Sequence, residues 1–114
     1  MTDPYQRTAD LLKALAHPTR LHILDLLRGG EICVCHIEAA LGKRQAYVSQ
    51  QLMTLREAGL VDTRRDGLQI YYRLADDRLL ETLRLLLGAP SAQSAALANC
   101  PCPNCATILL LQIQ

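Results

Sequence analysis

The sequence predicts a mainly α-helical fold carrying one β-hairpin, an α+β class. Three observations support this. Apolar residues recur at helical spacing in five short segments bounded by Gly and Pro. Two extended runs flank Asp66-Gly67, a strong hairpin signal. Half of the residues are apolar although Trp and Phe are absent, so the core must be built from Leu, Ile, Val and Ala. A length of 114 residues favours a single domain, and a core of that size gains from burial against a second copy.

The elements follow in order. Residues 7–16 (RTADLLKALA) place Leu11, Leu12 and Leu15 on one helical face. Pro18 separates this helix from the next and suits a first-turn position. Residues 19–28 carry Leu21, Leu24 and Leu27 at helical spacing, and Gly29-Gly30 stops them. A third short helix spans 33–41, with Ile37 and Leu41 inward, and Gly42 ends it. After the turn Lys43-Arg44-Gln45, residues 46–58 form a fourth helix that buries Val48, Leu52 and Leu55 and is closed by Gly59. Strands Leu60–Arg64 and Leu68–Leu74 then flank the turn Arg65-Asp66-Gly67. In the second strand Leu68, Ile70, Tyr72 and Leu74 form an apolar face opposite Gln69, Tyr71 and Arg73. Asp76 is placed to cap a fifth helix over 77–87. Residues 1–88 thus make one domain, and 89–114 make a linker and a cysteine-bearing tail that ends in the apolar run Ile108–Ile113.

Helix, helix, helix-turn-helix, hairpin, helix is the order of a winged helix-turn-helix. Charge is distributed accordingly. Residues 43–73 carry Lys43, Arg44, Arg56, Arg64, Arg65 and Arg73 against Glu57, Asp62 and Asp66, a balance of +3; the remainder carries six basic and eight acidic residues. A basic middle in a mildly acidic frame points to phosphate contacts. The fourth helix shows Gln45, Tyr47, Ser49, Gln50, Gln51 and Thr54 on its other face, side chains that reach base edges and phosphates. Lys43 and Arg44 precede it, and Arg64 and Arg65 lie near the hairpin tip, placed for backbone or minor groove. The expected partner is double-stranded DNA.

Five cysteines fall in two groups: Cys33 and Cys35 at the mouth of the third helix, and Cys100, Cys102 and Cys105 in the tail. No secretory signal is visible, so the expected location is cytoplasmic, where clustered thiols are more often metal ligands or redox groups than structural disulfides. Thiolates favour As(III), Sb(III), Cd(II), Pb(II) and Zn(II). Two cysteines at i and i+2 diverge on a regular helix, so gripping one ion would require the first turn to unwind. A composite site joining Cys33 and Cys35 to one or two of Cys100, Cys102 and Cys105 is the expectation, with no organic cofactor. Thiol-redox or persulfide chemistry at the same sulfurs is the alternative. His36 is expected at the surface or as a cap, with an accessory-ligand role as the alternative, and His17 and His22 in packing or hydrogen bonding.

Ala16-His17-Pro18-Thr19-Arg20, Glu31-Ile32-Cys33-Val34-Cys35, Val48-Ser49-Gln50-Gln51-Leu52 and Leu55-Arg56-Glu57-Ala58-Gly59-Leu60 resemble the ArsR/SmtB family of bacterial metal-sensing repressors over residues 10–87. The resemblance implies a homodimer joined by the first and last helices. It also implies an imperfect palindromic operator overlapping a promoter, and inducer-driven release. Cys-Val-Cys resembles the sensing motif of the arsenic and cadmium/lead branches, but the third cysteine of the arsenic branch is missing: Ile37 and Glu38 occupy its place. The Asp/His site of other members is not expected, since residues 75–87 contain no histidine. An enzyme is not expected either: Cys-Val-Cys lacks Cys-x-x-Cys spacing, and no nucleophile with its base can be assembled. No run is long enough to span a bilayer.

Overall fold

The computed structural model describes residues 3–90. The elements are α1 (Pro4–Leu15), α2 (Pro18–Leu26), a 3₁₀ turn (Leu27–Gly29), β1 (Ile32–Cys33), α3 (Val34–Leu41), α4 (Gln45–Glu57), β2 (Val61–Asp66), β3 (Gln69–Leu74) and α5 (Arg78–Leu87). This is the winged helix-turn-helix order. Ile23, Leu24, Ile37, Val48, Leu52, Leu55 and Leu83 are wholly buried in one aliphatic core that also takes in Ala14, Leu15 and Leu79. Leu12, expected inward, is 56% exposed: its neighbours Leu11 and Leu15 fill the inward stripe of α1.

Local chemistry sets the boundaries. Asp3 accepts a 2.7 Å hydrogen bond from the Gln6 amide, so α1 begins at Pro4, three residues earlier than periodicity suggested. Pro18 is the first residue of α2, and His17 caps it by accepting from the Thr19 amide through Nδ1 at 3.2 Å. After α4, Gly59 at φ +76° takes the left-handed position, with its amide donating to Arg56 and that of Leu60 donating to Leu55. The carboxylate of Asp76 accepts from the Arg78 amide at 2.9 Å, as a cap for α5.

The sheet has three antiparallel strands in the order β1-β3-β2. β1 was not legible in the sequence, where Cys33 reads as the first residue of α3. It is two residues long and pairs Ile32 with Tyr72 and Cys33 with Tyr71. The hairpin also differs from expectation. Asp66 pairs with Gln69, so the loop is Gly67-Leu68, with Gly67 at φ +62° as a two-residue loop with leading glycine requires. Leu68 is therefore 96% exposed at the tip, and Ile70 is also exposed because the wing projects beyond the core. Only Tyr72 and Leu74 of the expected apolar face pack on the core, whereas Tyr71 of the polar face is buried.

Candidate nucleic-acid interface and thiol pair

α3, a short turn and α4 form the helix-turn-helix, and α4 presents an exposed polar face. Gln45, Ser49 and Gln50 are exposed along it, and Lys43 and Arg44 are exposed immediately before it. Lys43, Arg44 and Tyr47 line one shallow cleft at this end. Met53, not anticipated from the sequence, is 60% exposed. It lies four residues after Ser49 and three after Gln50, so a helical projection would have found it. Its thioether suits apolar contact with a thymine methyl.

Four residues expected to face DNA are engaged within the protein. Gln51 is buried, and its side-chain oxygen accepts from Arg20 Nη1 at 3.0 Å. Arg20 also donates through Nε to the Ala14 carbonyl (2.6 Å) and through Nη2 to that of Lys13 (3.2 Å), so it ties the end of α1 to α4. Tyr47 is half-buried, and its hydroxyl shares a 3.1 Å hydrogen bond with Thr19 of α2. Thr54 is half-buried and donates back to the Gln50 carbonyl at 3.2 Å. Arg64 is held by three hydrogen bonds to Glu31, the shortest 2.6 Å, and its guanidinium lies 4.6 Å from the centre of the Tyr71 ring. The Arg64 hydrogen bonds hold the Glu31 carboxyl below the usual carboxylate range and push the guanidinium up. Arg65, one residue on, is exposed and makes no ion pair among the described residues.

Cys33 ends β1 and stands at the N-cap of α3 with extended backbone (φ −74°, ψ 156°). Cys35 follows inside the first turn. Because Cys33 is outside the helix, the two side chains converge rather than diverge: their Sγ atoms lie 2.7 Å apart. No unwinding is needed to bring them together. Cys33 is fully buried and Cys35 half-buried. His36 is not at the surface: it is 1% exposed, and neither ring nitrogen has a hydrogen-bond partner among the described residues. Burial pushes its pKa down. His17 is the α2 cap already described, and His22 is exposed rather than packed.

The soft donors fit a thiophilic ion in kind. In number they do not suffice by themselves: among the described residues no three His, Cys, Asp or Glu side chains form a metal-holding group. Cys100, Cys102 and Cys105, expected to complete the set, lie outside the described residues. Among the described residues no helix is long and apolar enough to cross a membrane.

A three-helix reader, an antiparallel wing and a basic edge define a winged helix-turn-helix DNA-binding protein. Residues 17–63 match the family model described as "Bacterial regulatory protein, arsR family". A "Biofilm growth-associated repressor" of Agrobacterium fabrum is 54% identical over 85 residues, which cover 72% of this chain and 73% of that protein. Among solved structures, HlyU from Vibrio cholerae superposes with a TM-score of 0.71 at 34% identity over 75% of this chain and 94% of that one. Its reduced form matches at 0.67 and 35%, over 70% and 84%. The homodimeric winged helix-turn-helix DNA-binding domain of a Mycobacterium bovis regulator matches at 0.68 and 37%, over 75% and 83%. The chain belongs to the ArsR/SmtB family of transcriptional regulators, which are not enzymes.

Proposed function

We propose that this ArsR/SmtB-family transcriptional repressor is thiol-gated: it holds a palindromic operator as a homodimer and releases it when Cys33 and Cys35 react. The observation that carries the reading is the 2.7 Å sulfur pair, which stands where β1 of the wing sheet meets α3 of the reader. A change in sulfur geometry there acts on both DNA-facing elements. Gln45, Ser49, Gln50, Met53, Lys43, Arg44 and Arg65 are the DNA contacts. The α1 and α5 apolar faces join the two copies.

Convergence of the two sulfurs supports redox chemistry as the input, since neighbouring thiols can close to a cystine. In oxidation by a small disulfide RSSR, one cysteine thiolate attacks and expels RS⁻. The second cysteine thiolate then displaces the other RS⁻, forming a cystine as RSSR is reduced to two RSH. A tail cysteine can replace one of the pair in this sequence. The count of sulfurs favours a second reading, in which As(III), Sb(III), Cd(II), Pb(II) or Zn(II) binds Cys33 and Cys35 with one or two of Cys100, Cys102 and Cys105. Three sulfurs suit As(III) or Pb(II), and four suit Cd(II) or Zn(II).

The test is fluorescence anisotropy on a duplex selected from a random pool by the reduced wild-type protein. Oxidised glutathione and each ion are added separately to wild type, Cys33→Ser, Cys35→Ser and a chain ending before Cys100. Release by the disulfide, reversed by dithiothreitol, identifies the redox input. Release by an ion in reducing buffer, lost on truncation, identifies the composite metal site. Retention of DNA under every treatment would rule out both.

A further inference from the structure

We infer that Glu31 and Tyr71 make Arg64 a positioning residue rather than a phosphate contact, strapping the wing to the strand that carries Cys33. The coupling half of this inference rests on the thiol-gated reading; the assignment of Arg64 does not.

Three segments distant in sequence meet at this point. Glu31 immediately precedes β1, Arg64 lies in β2 and Tyr71 in β3. Tyr71 pairs across the sheet with Cys33 on one side and Arg64 on the other. Directly paired residues project from the same face of a sheet, so Cys33, Tyr71 and Arg64 form one row. The Arg64 fork lies against the Glu31 carboxylate, with Nε at 3.1 Å from each oxygen and Nη2 at 2.6 Å from Oε1. It also covers the Tyr71 ring at 4.6 Å. A guanidinium neutralised by a carboxylate and stacked on a ring has its fork geometry already used. Arg65 projects from the opposite face, is exposed and has no carboxylate partner among the described residues. β2 thus divides its two arginines: Arg65 for the phosphate, Arg64 for the strap.

The strap also explains how the buried Cys33 sulfur reaches the wing. Cys33 is one cross-strand position from Tyr71, and Glu31 is two residues before Cys33 along the chain. A shift of the Cys33 sulfur moves both the ring under Arg64 and the carboxylate that holds it.

The experiment uses the full chain and the selected duplex, and has two readouts. The first is the salt dependence of affinity in reducing buffer. Arg65→Gln is expected to flatten the log–log slope by about 0.9, since one phosphate is no longer neutralised, and Arg64→Gln to leave it unchanged. An equal flattening by Arg64→Gln overturns the assignment. A general loss of fold would weaken binding without this difference between neighbouring arginines. The second readout is the ratio of reduced to oxidised affinity. Arg64→Gln and Glu31→Gln are expected to shrink the wild-type ratio at least threefold, and Glu31→Asp to preserve most of it. A wild type that responds to oxidation together with variants that respond as fully overturns the coupling. A wild type with no ratio refutes the thiol gate itself, and with it the coupling, while the salt slopes still decide the role of Arg64.

Discussion

Gln50 and Gln51 are chemically identical neighbours in opposite environments. Gln50 is exposed on α4, whereas Gln51 is buried against Arg20. Gln50→Ala is therefore expected to weaken operator binding by about 1–3 kcal/mol, the value of a bidentate base contact, at unchanged thermal stability. Gln51→Ala is expected to lower stability by about 1–3 kcal/mol, because the Arg20 donor is left without its acceptor. Calorimetry beside anisotropy on both variants checks the division. The sequence contained a clue: position 51 lies three after Val48 and four before Leu55, on the edge of the buried stripe. His36 was less legible, since nothing local distinguishes a buried histidine from a surface one. Its folded pKa is depressed below 6.5 by burial. Below about pH 6.5 the unfolded chain binds a proton that the folded state resists, so stability is lost as pH falls through that window. Urea midpoints measured from pH 7.5 to 5.5 should decline less in His36→Leu than in wild type.

Among the elements, α4 shows how packing sets function. Val48, Leu52 and Leu55 are wholly buried and fix the angle at which Ser49, Gln50 and Met53 are presented. Leu52→Ala should cost about 2–5 kcal/mol in urea unfolding and weaken DNA binding only through the fold. The helices were legible because 3.6-residue periodicity and Gly/Pro punctuation agree for each. The sheet was only partly legible. A two-residue β1 has no periodicity to detect, and its pairing with Tyr72 and Tyr71 is a contact between distant segments. The Asp-Gly signal located the hairpin but not its register, because Gly67 begins the loop and does not end it. Placing Cys33 in β1 changes the chemistry. An extended N-cap residue turns its sulfur toward Cys35, where two helical residues would have diverged.

At the scale of the whole molecule, most of the exposed large apolar side chains among the described residues lie on the first and last helices. Leu85 and Leu86 are 69% and 65% exposed on α5, and Leu12 and Tyr5 are exposed on α1. Exposed leucines on two helices are suited to burial against a second copy. A second copy also supplies the second reader that a palindrome needs. Leu86→Glu is expected to yield monomers in analytical ultracentrifugation and to reduce operator affinity by at least tenfold, while circular dichroism retains the helical signal. Arg28 links this helix to the body: it pairs with Asp25 at 2.6 Å and donates to the Gly88 carbonyl at 2.7 Å. The order of helices and hairpin and the position of the helix-turn-helix were available from the sequence. The Glu31–Arg64 strap was not, since thirty-three residues separate its partners.

The most direct test is the affinity of the protein for its selected duplex, measured on one sample taken from reduced to oxidised and back. At least a tenfold loss on oxidation and full recovery with dithiothreitol are expected, both absent in Cys33→Ser. Operator affinity that stays unchanged through the cycle, or that changes equally without Cys33, would contradict the redox account.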